Sequence, residues 1–124
     1  MNLTRVKINQ LQPSDVPRKD TLKFYSSLTL EQLGKLDHKP QVWVTNEGLI
    51  VSDGNNYIFE NARRGLEEVE VDLCGDGSNF GFPTEDTLND IGYLRNIGIK
   101  SPYDFFRLFP NDPRNPLPIW SYAA

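Results

Sequence analysis

The turn "SDGNNY", Ser52 to Tyr57, sets a carboxylate, two amides and a phenol side by side. A carboxylate such as Asp53 can bind a cation or accept a proton. Asn55 and Asn56 can orient a ligand but cannot act as general bases near neutral pH. Tyr57 is a neutral donor, without the paired charged hydrogen bonds that a guanidinium gives phosphate. If the turn opens a helix, the amides of Gly54, Asn55 and Asn56 face outward with the positive end of the helix dipole, an arrangement that holds anions. Arg18, in "PSDVPR", is the cation that could face them. The simpler expectation is ordinary helix initiation, with Asp53 as N-cap and Gly54 allowing the sharp turn.

Other reactive side chains stand alone. His38, in "LDHKPQ", is the sole imidazole, and is expected to anchor a surface loop. Cys74 is the sole thiol, so an intrachain disulfide and a cysteine metal cluster are excluded. Arg63 and Arg64 fall at a helix end, where cations oppose the dipole, and are read as a solvated cap. Glu67, Glu68, Glu70 and Asp72 alternate with apolar residues as a solvated strand face. Near the far end, Gly98, Ile99 and Lys100 lie between two amphipathic segments, in a hairpin of the kind that gives backbone amides to a DNA phosphate.

These residues need elements to hold them. "VKINQL" alternates as a half-buried strand, with Val6 and Ile8 on one face and Leu11 on the other, and Pro13 and Pro17 end it. Lys19 to about Leu28 has helical spacing at Leu22, Phe24, Tyr25 and Leu28. Thr29 can cap a short second helix whose Leu30, Leu33 and Leu36 share a face. Gln41 to Ser52 reads as a hairpin around "NEG". Asn55 to Arg64 reads as a helix with Ile58, Ala62 and Leu66 on its buried stripe, closed by a left-handed Gly65. "EEVEVDL" returns to strand, with Val69, Val71 and Leu73 inward. After the loop "CGDGSNFGFP", Thr84 caps a helix running to Gly98. Ser101 and Pro102 start another that Pro110 stops. Leu94, Ile97, Ile99, Phe105, Phe106, Leu108 and Phe109 are expected to cover the sheet.

The expected architecture is therefore α+β, a small mixed β-sheet with packed helices followed by a helical extension and a Pro-rich arm. It forms one domain over residues 1–124, with a core at 6–74 and the extension and arm at 75–124. The arm could dock on its own domain through Leu117, Ile119, Trp120 and Tyr122, or serve a homodimer or protein partner. A composition of 38% hydrophobic and 24% charged residues is that of an ordinary folded chain. The net charge of −4 lacks the broad positive field of a stand-alone nucleic-acid binder, so DNA contact would have to be local. No stretch is apolar enough for a signal peptide or a membrane span, and a cytoplasmic location with no membrane partner is expected.

From "VKINQLQPSDVPR" through "PQVWVTNEGLIVSDGNNYIFENARRGLEEVEVDL", roughly residues 6 to 74, the order of motifs resembles the ParB/sulfiredoxin-like domain. That family includes CTP-dependent chromosome-partitioning proteins, an ATP-dependent sulfinic-acid reductase, nucleases and a small-molecule kinase. Its members carry Asp-Gly-His-His-Arg, Gly-Glu-Arg-Arg or Gly-Gly-Cys-His-Arg at the turn, where the helix start holds nucleotide phosphates. Here Asp53 and Gly54 match, Asn55, Asn56 and Tyr57 replace the reactive positions, and Arg18 matches the basic residue of the first box. The resemblance implies a divergent, non-catalytic binding or interaction module with a weak nucleotide or anion site at Arg18 and Asp53 to Tyr57. No resident cofactor is expected. One alternative is a nucleotide-dependent phosphotransferase or nuclease with magnesium at Asp53. A second is a DNA-associated module using residues 94–109.

Overall fold

The computed structural model describes residues 2–78 and 81–110. Strand β1 (Leu3–Lys7) leads through a short 3-10 turn at Ile8–Gln10 into β2 (Leu11–Gln12). Helices α1 (Lys19–Ser26) and α2 (Leu30–Gly34) precede the hairpin β3 (Gln41–Thr45) and β4 (Gly48–Asp53). Then follow α3 (Asn55–Arg63), β5 (Glu68–Cys74), α4 (Glu85–Asn96) and α5 (Pro102–Leu108). The strands form one mixed sheet in the order β1-β5-β3-β4-β2, so the fold is α+β as expected.

The first expected strand is in fact two, on opposite edges of the sheet. β1 runs antiparallel to β5, and β2 runs parallel to β4. Across a flat sheet those edges would stand about 19 Å apart. The chain from Lys7 to Leu11 reaches at most about 14 Å even when extended. The sheet must therefore curl until its edges approach. The 3-10 turn also shifts the side-chain phase, so Ile8 and Leu11 are both fully buried while Gln10 is exposed. A continuous strand would have sent them to opposite faces.

Helix α3 crosses the middle of the fold and packs against α1 and α5. Its expected single apolar stripe is replaced by burial on every side, Tyr57 to Arg63 without interruption. Such a helix forces its polar residues inside as well. Glu60 is 0% exposed, and both its oxygens are engaged. Arg63 Nε and Nη2 donate to Glu60 Oε1 and Oε2 at 2.8 and 2.6 Å, and Arg64 Nε reaches Oε2 at 2.6 Å. Arg64 Nη2 also donates to the carbonyls of Tyr25 and Leu28, which close α1. The expected solvated cap is thus a buried, fork-shaped ion cluster that ties α3 to α1. Gly65 follows with φ 77°, the left-handed stop expected of it.

Residues 85–108 complete this core. Phe59 of α3 meets Phe105 and Phe106 edge-on at 5.7 and 6.1 Å between ring centroids, and all three rings are fully buried. Burying each is worth roughly 1.5–3 kcal/mol before entropy is charged against it. Arg95 stitches α4 to the early chain through Gln12 and Glu47, and Gln12 Nε2 in turn donates to the Ile99 carbonyl. The caps fall as the sequence indicated, with Thr29 and Gln32 forming a capping box, Thr84 accepting from the Thr87 amide, and Ser101 with Asp104 opening α5. Leu108 and Phe109, expected to cover the sheet, stay exposed, as do Phe24, Leu30 and Leu88. Leu117, Ile119, Trp120 and Tyr122 lie outside the described residues. Among the described residues no helix is long and apolar enough to cross a membrane.

Candidate functional site

Gly54 joins β4 directly to α3, and its conformation explains the turn. With φ 84° it sits in the left-handed region, and a Cβ added there would lie 2.7 Å from the Pro40 Cα. Both conditions require glycine. Gly54 is itself the N-cap, without a side-chain cap. Asp53, expected in that role, belongs to the end of β4. Among the described residues its Oδ1 accepts only from the Gly54 amide, one residue on, at 3.0 Å. The reason is geometric: a left-handed residue between strand and helix turns the carboxylate away from the first helical turn.

The other Asp53 oxygen, Oδ2, lies 2.9 Å from His38 Nε2, with both side chains mostly exposed. The hairpin register accounts for this meeting, since Gln41 pairs with Asp53 and His38 stands three residues before Gln41. His38 does anchor its loop, and the anchor it uses is the turn itself.

Asn55 and Asn56 serve the backbone. Asn55 Oδ1 accepts from the Ser14 amide at 3.1 Å and its Nδ2 donates to Ser14 Oγ at 3.2 Å. Asn56 Oδ1 accepts from the Arg18 amide at 2.7 Å. Together they pin both ends of the proline-containing segment 14–18 to the start of α3. This brings Arg18 beside the turn, as the sequence suggested.

Arg18, Asp53, Gly54, Asn55 and Asn56 line one open cavity of about 690 Å³ with His38, Tyr25 and a wall from α4. Tyr57 stands apart from these five. It is 5% exposed, its hydroxyl donates to the Leu33 carbonyl at 3.3 Å, and Tyr25 meets its ring edge-on. In the first turn of a helix buried from Tyr57 onward, its side chain reaches the Leu33 carbonyl and not this cavity, which removes it from the cavity's candidate ligand set.

The cavity's charge is mixed. Asp15, Asp53 and Asp90 share the lining with Arg18 and His38. Burial, and then the Asp53 charge, push the Tyr25 phenol above its ordinary value, so it remains a neutral donor at physiological pH. Magnesium at Asp53 is a poor fit, since both carboxylate oxygens are engaged and no group of three or more His, Cys, Asp or Glu converges among the described residues.

The sequence matches no protein-family model and no curated protein. Protein Atu1540 from Agrobacterium tumefaciens superposes with a TM-score of 0.52 at 15% identity, over 84% of this chain and 61% of that one. A likeness that distant concerns the fold alone, and this chain spans about 61% of the length of that structure.

In the second candidate region the backbone amides find acceptors within the chain. The amides of Gly98 and Ile99 donate to the carbonyls of Arg95 and Leu94, and those of Lys100 and Ser101 both donate to Asp104 Oδ2. Every amide that a hairpin of this kind would offer a phosphate has an acceptor, and one acceptor is a carboxylate that repels it. Ile99 is fully buried. Gly98, Ile99 and Lys100 therefore form a packed helix–helix junction. Cys74 is partly buried, and burial, followed by Asp72, raises its thiol pKa, which disfavours the nucleophilic thiolate.

The cavity residues missed by sequence reasoning include Asp15, Tyr25, Thr87, Asp90 and Tyr93. Thr87, Asp90 and Tyr93 recur every three residues on α4, a helical-face signal, but nothing in that spacing says which cavity the face meets.

Proposed function

We propose that this chain is a divergent ParB/sulfiredoxin-like domain acting as a non-catalytic binding module, with a weak site for a nucleotide or other anion in the cavity at Arg18 and Asp53 to Asn56. The observation that carries this reading is the use of Asn55 and Asn56. The positions where the family keeps its reagents instead hold the frame together, and the start of α3 still opens beside Arg18. The carboxylates Asp15, Asp53 and Asp90 lower the affinity for a free polyphosphate, so weak binding is the expectation.

Calorimetric titration with ATP, CTP and ADP, with and without magnesium, tests this. Millimolar-range binding that Arg18→Ala abolishes, without phosphoryl turnover, is the expected result; no heat with any of them would dismiss the site.

A second reading, the nucleotide-dependent enzyme, is favoured by the His38–Asp53 pair. An imidazole held by a carboxylate through one nitrogen has the other available to accept a proton. That reading predicts turnover that disappears in His38→Gln while nucleotide binding persists.

A further inference from the structure

Helix α4 meets the cavity at Arg18 along one edge. Ile91 and Leu94 are its buried residues, and they sink it into the core. Asp90 and Tyr93 each stand one residue before them, about 100° round the helix, so both reach the cavity lining beside the buried stripe. Tyr93 is 66% exposed, and Asp90 is exposed as well. Among the described residues the Asp90 carboxylate makes no hydrogen bond or ion pair, and neither does the Arg18 guanidinium. One cavity thus holds an unpaired cation and an unpaired anion on different elements.

The balance of charge selects a class of ligand. Asp15, Asp53 and Asp90 set three carboxylates against the Arg18 guanidinium, and His38, even when protonated, offsets only one more. A surplus of at least one negative charge remains. A polyphosphate would enter against that surplus, which weakens its hold on Arg18. A ligand with its own positive end would not, because a carboxylate can accept from an ammonium while a tyrosine ring offers it a face. Asp53 is engaged by His38 and the Gly54 amide, and Asp15 accepts from the Val16 amide. Among the described residues Asp90 is the carboxylate of this lining with both oxygens open.

Given an anion site at Arg18, we propose that its ligand is an amine-bearing phosphate ester, a small zwitterion whose phosphate is held by Arg18 and whose ammonium is held by Asp90 against the Tyr93 ring. The two ends are read by different parts of the chain. Arg18 is the residue that opens α1, whereas Asp90 and Tyr93 belong to α4, beyond residues 6–74. The helical extension therefore supplies the specificity, and the core supplies the phosphate contact.

O-phosphorylethanolamine, ethyl phosphate and ethanolamine carry both charges, the anion alone and the cation alone. Titrated into the isotope-labelled chain, O-phosphorylethanolamine is expected to shift the backbone amides of Arg18, Asn55, Asp90 and Tyr93 together. It should bind about three- to tenfold more tightly than ethyl phosphate, with ethanolamine weakest. Asp90→Asn should erase that preference by weakening O-phosphorylethanolamine and tightening ethyl phosphate, which then meets one like charge fewer. Tyr93→Leu should weaken O-phosphorylethanolamine about two- to fivefold. Both side chains are exposed, so both variants should fold. Vesicles of phosphatidylglycerol, with and without phosphatidylethanolamine, separate the sources of this chemistry: retention by the second assigns it to a lipid headgroup, binding of the free ester alone assigns it to a soluble ester, and either upholds the zwitterion. Ethyl phosphate binding as tightly as O-phosphorylethanolamine, or an Asp90→Asn variant that keeps the preference, would overturn the proposal and leave the anion site standing. No shift with either ester, while nucleotides bind, would do the same. Failure of esters and nucleotides alike would remove the anion site with it.

Discussion

The two ends of α3 handle polarity in opposite ways. Its start is open, with neutral amides that hold backbone groups and a polar pair, His38–Asp53, left in solvent. Its end is dry, with three charged side chains locked together at 2.6–2.8 Å. In solvent a charged pair can be altered at small cost, because water replaces whatever partner is lost. In the interior the same change strands a charge. The rear of the helix is therefore the fixed point of the fold, and the front is where function can vary.

The sharpest way to break this contrast is Glu60→Ala. It leaves Arg63, 5% exposed, without its carboxylate, and should cost about 3–5 kcal/mol in denaturant unfolding. A loss below about 1 kcal/mol would mean that the cluster is not the anchor. Next in size is Gly54→Ala. The left-handed backbone and the Pro40 contact should together cost about 2 kcal/mol, with a matching drop in melting temperature. Asn56→Ala should cost about 1 kcal/mol and, more tellingly, should speed hydrogen exchange at the Arg18 amide while exchange at Phe59 follows only the global change.

The smallest effect concerns alkaline pH. Tyr25, Tyr57 and Tyr103 all have phenol pKa values raised above 10.0, chiefly by burial. Below pH 10 both folded and unfolded chains keep these protons, and the full stability is present. Above it the unfolded chain ionises first, so stability should fall as pH rises toward the folded values. Urea midpoints that stay flat from pH 9 to pH 11 would contradict that burial.

Much of the frame was legible because local chemistry decides it. Thr29, Thr84 and Ser101 cap helices by bonds within a few residues of themselves, and the left-handed stop at Gly65 needs only the absence of a Cβ. The hairpin and the alternation of Val69 and Val71 follow from the period of a pleated strand. The broken first strand was hidden, because its 3-10 turn answers to the curl of the whole sheet. The arginine cluster was hidden for a related reason. "ENARR" looks like the wet end of an amphipathic helix until α1 and α5 close over both sides of it.

At the site, the sequence by itself determined that a strand would run through Gly54 into a helix and that neutral side chains, Asn55, Asn56 and Tyr57, would open it. Only the tertiary structure decided what these side chains do. Asn55 and Asn56 reach partners 41 and 38 residues away, and Asp53 meets His38 across 15. Side-chain type limits which bonds a residue can make. Which partner stands within three ångströms is settled by how the sheet curls and the helices pack, and no local pattern carries that information.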